Sequence, residues 1–276
     1  MPTFSLLTFN CYGVPTPGTS SRLRLLAHTL NNLDMSAVCL QEVQSNRHRR
    51  LFERECESYP ARAYEPFFHA PKGGLLTMAR CPIMSKEFHL YTERGLWYTP
   101  ALADWILHKG ILITRLEWEH MPVVLINTHL TANYMGNWSQ TNMFAKHEYN
   151  QLRQLAECVR EQPTNALVLV CGDFNIPRGS WLYDAFLEES GLTDPLEGNL
   201  QSTLRPRSMM PSRYFMSIDY ALVRAPDVYG VKVESRFQFE DVIPHNNKQV
   251  ALSDHYAVEL LVNVDDGNPP PDVSMG

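Results

Sequence analysis

The sequence predicts an α+β domain in which helices are separated by blocks of several strands. Three observations carry this reading. Apolar residues recur at helical spacing in four stretches. The segments between them read as strands in consecutive groups, not one at a time as in a regular βαβ alternation. Alternation within those strands is imperfect, as expected where a sheet has helices on one face and a second sheet on the other. Size and composition agree. With 276 residues, 44% hydrophobic and 20% charged, the chain can bury a large core without disulfides or a structural metal. The same fractions exclude a disordered chain, a collagen and a coiled coil. No apolar run approaches the roughly 18 residues of a membrane helix.

The elements follow in order. Residues 4–10 are an apolar strand that ends before a turn containing Gly13, Pro15, Pro17 and Gly18. Thr19, Ser20 and Ser21 are candidate caps for a helix over residues 19–33, with Leu23, Leu26, Leu30 and Leu33 on one stripe. Residues 37–40 form a short buried strand and 47–57 a charged helix. Strands are expected at 62–68, 75–79, 83–91, 110–118 and 123–128, with a turn at 69–74. A long helix spans 141–162, stopped by Pro163. Residues 166–171 are a fully apolar strand, 181–189 a helix ending near Gly191, and 218–223, 231–239 and 256–262 further strands. One domain over residues 1–264 is expected, and the run Pro269–Pro270–Pro271 marks 265–276 as a disordered tail.

The six cysteines, Cys11, Cys39, Cys56, Cys81, Cys158 and Cys171, form no CxxC pair, and two of them lie in apolar strands. Free thiols in a reducing compartment are expected. The first ten residues read as a strand with no basic n-region, so the expected location is cytoplasmic. A formal net charge of −6 gives no support to a nucleic-acid partner held by non-specific phosphate contacts.

Function is signalled by a recurring placement. An apolar strand ends, and the next one or two residues are carboxylate, carboxamide or imidazole. This happens at Asn10, at Gln41–Glu42, at Asn127–Thr128–His129, and at Asp173 with Asn175. Asp219 sits inside an apolar strand, and Asp254–His255 precedes another. Strand ends at one rim of a sheet converge, which is where such proteins gather functional groups. A carboxylate within an apolar strand needs a cation or several donors. In an extended segment Asp173 and Asn175 would project to the same side. Hard oxygen donors without a cysteine cluster favour Mg²⁺, or Mn²⁺, over zinc. The set has the parts for metal-assisted hydrolysis of a phosphoester, in which charge neutralisation and a base act together on water.

Six blocks carry a family resemblance: FNCYG at residues 9–13, LQEV at 40–43, NTHL at 127–130, GDFN at 172–175, SIDYAL at 217–222 and LSDH at 252–255. In this order and spacing the chain resembles the endonuclease/exonuclease/phosphatase superfamily, the fold typified by pancreatic deoxyribonuclease I. The resemblance implies a four-layer α/β/β/α sandwich of two mainly antiparallel sheets. Looser features are similar to the neutral sphingomyelinase branch: DWILHKG at 104–110, Ala132 with Tyr134, His147 before Gln151, and GLTDPLE at 191–197. Thr131 and Asn133 depart from that branch's His-Ala-Glu-Tyr. The implied roles are Glu42 as principal Mg²⁺ ligand, with Asn10 beside it and Asp254 in support. Asp173 and Asn175 would orient water and phosphoryl group. His255 would be base or phosphate contact, held by Asp219. His129 would stabilise phosphoryl oxygens or protonate the leaving group. Lys109, gated by Asp104, would donate to the scissile phosphate, and Tyr134 would contact substrate. The implied activity is a Mg²⁺-dependent phosphodiesterase, with a lipid favoured over nucleic acid and no stable transmembrane anchor.

Other readings remain open at this level: a nuclease or abasic-site endonuclease contacting DNA through Arg47, Arg49 and Arg50, a sugar- or inositol-phosphate phosphatase, and an inactive binding module. Tyr134, Trp138 and Phe144 could wall a head-group site or pack a loop.

Overall fold

The computed structural model describes residues 2–93, 106–206, 211, 214–245 and 248–265. The chain runs through β1 (Thr3–Asn10), α1 (Thr19–Asn31), β2 (Ala37–Gln41), α2 (Asn46–Glu55), β3 (Ala61–Ala63) and β4 (Leu76–Ala79). It continues through β5 (Ile83–Leu90), β6 (Gly110–Trp118), β7 (Met121–His129), α3 (Met143–Arg160), β8 (Leu167–Asp173) and α4 (Trp181–Ser190). It closes with β9 (Asp219–Arg224), β10 (Gly230–Gln238), β11 (Ile243–His245), β12 (Lys248–Val250) and β13 (Ala257–Asp265).

Two sheets result, of order β10-β13-β1-β2-β4-β3 and β5-β6-β7-β8-β9. Each is antiparallel except for one central pair, β1 with β2 and β7 with β8. Three hydrophobic clusters fill the three gaps of a four-layer sandwich. Phe4, Leu6, Cys39, Leu125, Leu169 and Leu260 lie between the sheets. Leu23, Leu26 and Phe52 of α1 and α2 cover the six-stranded sheet, and Leu152, Leu155 and Phe186 of α3 and α4 cover the five-stranded one. Each fully buried leucine or phenylalanine contributes roughly 1.5–3 kcal/mol relative to exposure. The layered fold expected from the sequence is therefore present. Among the described residues no helix is long and apolar enough to cross a membrane.

Some local expectations are corrected. Thr19, Ser20 and Ser21 do not cap α1: Gly18 precedes it at φ 89° with no side-chain cap, and the Thr19 hydroxyl donates to the Val14 carbonyl (2.8 Å). The strand expected at 62–68 is only Ala61–Ala63. Beyond it the carbonyls of Phe67 and Phe68 accept from Asn46 Nδ2 (both 3.0 Å), so this stretch folds onto the start of α2. The ribbon β11–β12 lacked an apolar alternation to announce it. Residues 266–276 of the expected tail lie outside the described residues.

Candidate active site

Register places the functional side chains in a row. His129 pairs with Asp173 across β7–β8, and Asp173 pairs with Asp219 across β8–β9. Residues opposite one another on neighbouring strands share a sheet face. On the other sheet Asn10 pairs with Gln41 at the C-terminal ends of parallel β1 and β2. Asn10 Nδ2 joins the two rims, donating to Asp173 Oδ2 (2.9 Å) and to Glu42 Oε1 (3.1 Å). The Ser253 hydroxyl donates to the Asn10 carbonyl (2.7 Å), bringing Asp254 and His255 to the same place.

Backbone strain and close approach hold this geometry. Glu42 takes φ 58° and Asn175 φ 54°, both in the left-handed region, which functional sites often use. Gly13 N donates to the Glu42 carbonyl (3.0 Å), and a Cβ on Gly13 would stand 2.1 Å from that oxygen. Gly172, at φ 142°, lies so close to β7 that a Cβ would meet the Thr128 carbonyl oxygen at 1.9 Å. Close contact therefore requires glycine in both the first and fourth blocks, and at Gly172 the backbone conformation requires it as well.

His255 Nδ1 lies 2.9 Å from Asp219 Oδ2, while Nε2 lies 3.8 Å from Asp173 Oδ2. An ionised carboxylate only accepts, so Nδ1 carries a proton, and Nε2 faces Asp173. His129 Nε2 stands 3.5 Å from the same Asp173 oxygen. Burial pushes Asp173 up to about 7, helped by the Asp219 charge and opposed by His255, Asn10 and Lys109. Burial opposes the charged form of His255, but Asp219, Asp173 and Asp254 outweigh it and raise this group to about 10. Burial, followed by the positive charges of Lys109 and His255, holds His129 well below its ordinary range, so it is neutral. Glu42 is raised by burial and by Asp254, against His255 and Asn10.

Burial is the largest cause at each of these groups, and at Glu42, Asp173 and His255 neighbouring carboxylates act beside it. Glu42, Asp173, Asp219 and Asp254 crowd negative charge into a poorly solvated rim faced by Lys109. Glu42 Oε2 is buried and, among the described residues, accepts no hydrogen bond. Unpartnered hard oxygen in a carboxylate-rich rim fits a divalent cation of the Mg²⁺ type. Ligand atoms of Asp173, Asp219 and His255 also lie within 4.8 Å of one another. In that trio Asp219 and His255 are hydrogen-bonded to each other, whereas Glu42 keeps an oxygen that, among the described residues, accepts no hydrogen bond.

The sequence-predicted residues fare differently. Glu42, Asp173, Asp219, His129 and His255 meet as expected. Asn10 is present, but its carbonyl Oδ1 accepts from Tyr12 N (3.0 Å) and its nitrogen faces the carboxylates, so it bridges them as a donor. Asp173 and Asn175 do not share a strand face, because β8 ends at Asp173 and the chain turns. Asn175 N donates to Asp173 Oδ1 (3.0 Å) and its Nδ2 to the Leu130 carbonyl (3.0 Å). Lys109 Nζ, buried, donates to that same carbonyl (2.6 Å). Asp104 lies outside the described residues. Gln41 and Asn127 pin the two sheets together, with Gln41 Nε2 donating to Asn127 Oδ1 (2.8 Å).

Tyr134 lines a cavity of about 530 Å³ that reaches Asn175, with Trp138, Tyr214, Leu204, Met216 and Ile218 among its walls. Trp138 Nε1 donates to the Asn175 carbonyl (3.2 Å), tying this wall to the rim. Phe144 is buried behind Tyr134, edge-on at 6.0 Å. Thr131 and Asn133, the departing positions, are held by α3: Gln151 Nε2 donates to Thr131 Oγ1 (2.9 Å), and Asn133 Nδ2 donates to Glu148 Oε2 (3.5 Å).

A buried network went unread in the sequence. Arg178 Nε donates to Asp194 Oδ2 (2.7 Å), Tyr183 OH donates to the same oxygen (3.0 Å), and the guanidinium lies 4.8 Å over the Tyr220 ring. Arg178 also bonds Ser217, just before Asp219. The GLTDPLE block, which contains Asp194, was its available signal.

Comparison with known proteins places the chain in a family. A Drosophila melanogaster protein whose name marks it as a provisional neutral sphingomyelinase is 25% identical over 270 residues, covering 92% of this chain and 59% of the relative. An inositol phosphosphingolipids phospholipase C of Saccharomyces cerevisiae is 24% identical over 311 residues, covering 94% of this chain and 63% of the relative. The chain thus spans about three fifths of the length of both. A Staphylococcus aureus beta toxin solved with bound magnesium ions shares the fold at TM-score 0.72 and 18% identity, covering 94% of this chain and 99% of that one. Residues 7–255 match the Endonuclease/Exonuclease/phosphatase family, and the chain belongs to it.

Proposed function

We propose that this chain is a Mg²⁺-dependent phosphodiesterase that hydrolyses a phospholipid-type diester by in-line attack of water, releasing a phosphorylated head group. Mn²⁺ suits the same donors. The observation that carries the reading is the hydrogen-bonded Asp219–His255 pair aimed at Asp173 beside the unpartnered oxygen of Glu42.

Glu42 and Asp254 would hold the divalent ion, which when bound supplies neutralisation of the phosphoryl charge. Asp219 holds a proton on His255 Nδ1, and an ion offsetting the carboxylate charge that raises His255 would leave Nε2 able to take a proton from the attacking water. Asp173, between the two imidazoles, orients that water. Neutral His129 donates a hydrogen bond to a phosphoryl oxygen, and Asn175 orients the phosphoryl group. Lys109 contributes a fixed positive charge at the rim. The aromatic and aliphatic cavity beside Asn175, together with the net charge of −6, supports a lipid over a polyanionic nucleic acid. The Arg47–Arg50 run lies on α2, where Arg49 pairs with Glu53 and stacks on Tyr64. All six cysteines are free, which supports a reducing, cytoplasmic location.

Hydrolysis of bis-p-nitrophenyl phosphate and of sphingomyelin vesicles, each with Mg²⁺ and with EDTA, tests the reading. Turnover confined to the Mg²⁺ arms is expected, and equal rates under chelation would overturn it.

A further inference from the structure

Asp219 and His255 belong to different sheets. Asp219 opens β9 of the five-stranded sheet, and His255 precedes β13 of the six-stranded one. No strand ladder therefore sets the 2.9 Å separation on which the tautomer of His255 depends. We propose that Thr203 is the positioning residue that sets it. The proposal rests on the Asp219–His255 pair having the role given above.

Thr203 is completely buried, in the loop between α4 and β9. Its hydroxyl oxygen accepts from the backbone N–H groups of Ile218 (3.1 Å) and Asp219 (3.2 Å). Its carbonyl accepts from Tyr256 N (2.7 Å), the residue after His255, and its own N–H donates to the Met216 carbonyl (3.1 Å). The neighbours extend the strap. Leu204 bridges to His255, and Arg205 N donates to the Asp254 carbonyl (2.8 Å). One face of this segment thus grips the chain that presents Asp219, while the other grips the chain that presents His255. The side-chain grip is the hydroxyl alone. Threonine supplies an acceptor with a branched body that fills buried space, whereas valine would keep the volume and leave two buried N–H groups unpaired.

The test compares Thr203→Val with Thr203→Ser, which restores the acceptor. Two measurements are made: kcat and KM on bis-p-nitrophenyl phosphate, and the downfield proton resonance of His255 Nδ1–H in the resting, metal-free protein. Thr203→Val is expected to lower kcat about 10–100-fold, the scale of a misplaced catalytic group. KM and Mg²⁺ affinity should change less than about threefold, because Glu42 is untouched, and serine should recover most of the loss. The resonance should move or vanish in the valine variant and return with serine. In an Asp219→Ala background, Thr203→Val should lower kcat no further. Thr203→Cys, a weak acceptor of similar size, replaces valine if that variant fails to fold and should fall between wild type and loss. A folded valine variant with wild-type kcat and resonance would overturn the proposal, as would serine as poor as valine, or a further loss without Asp219. The resonance needs neither metal nor substrate, so a chain that hydrolyses no diester would refute the functional reading while leaving this one open to its own test.

Discussion

Replacing Asp219 with asparagine tests the catalytic reading most directly, because the surroundings dictate which way the new amide turns. Asp219 is 1% exposed and His255 6%. In the native pair Asp219 Oδ2 accepts from His255 Nδ1–H, while Oδ1 is buried and, among the described residues, has no hydrogen-bond partner. An asparagine that kept its oxygen on His255 would bury an NH₂ where no acceptor waits, at a cost of about 1–3 kcal/mol. Turning the amide over avoids this, but then the NH₂ faces Nδ1 and the imidazole proton must move to Nε2. The base would then carry a proton on the nitrogen that should accept one. Truncating one partner of a buried charged pair costs about 3–5 kcal/mol. If about 3 kcal/mol of that is expressed in the transition state, kcat falls on the order of 10²-fold. The assay is steady-state hydrolysis of bis-p-nitrophenyl phosphate at saturating Mg²⁺, with ion affinity measured by calorimetry. Unchanged ion affinity with a 10²-fold loss of kcat is expected, and ¹⁵N shifts should report the proton on Nε2. A folded Asp219→Asn protein within about threefold of wild-type kcat would refute the reasoning.

The charge excess at the rim has two further consequences. In the metal-free protein Asp173 is raised to about 7 and His255 to about 10, so both bind protons more tightly folded than unfolded. Their contribution is fully present below the unfolded values, near 4 and 6.5, and is lost as pH rises through 7 and then 10. The chelated protein should therefore lose melting temperature from pH 6 to pH 10, by on the order of 5 °C, and saturating Mg²⁺ should flatten that slope; a metal-free melting temperature that rises over this range would contradict it. Glu42→Gln removes one of the crowded charges while retaining a polar side chain. It should abolish calorimetric Mg²⁺ binding yet leave the metal-free protein as stable as wild type or about 1–2 °C more so, and retained Mg²⁺ binding would remove Glu42 from the metal site.

What could be read in the sequence was whatever is local. A strand that ends in a carboxylate or imidazole announces itself within a few residues, which is why Glu42, His129, Asp173, Asp219 and His255 were visible as candidates before any geometry. Runs such as residues 166–171 are apolar at consecutive positions and so demand cover on both faces, a pattern that fits two facing sheets without choosing them; the six blocks supplied the arrangement. What stayed hidden arises only when the sheets dock. Gln41 and Asn127, 86 residues apart, looked like rim chemistry because each follows an apolar run, yet they satisfy one another across the interface. The resemblance places Asn10 beside the metal, but its orientation depends on the Tyr12 N–H bonded to its carbonyl, a contact that no motif announces. Thr203 lies in a polar loop without periodicity, and its partners lie in two segments, one leading into each sheet. The division follows from how the site is made: the sheets deliver the reactive groups through backbone register, and contacts between the layers then set the distances at which those groups can act.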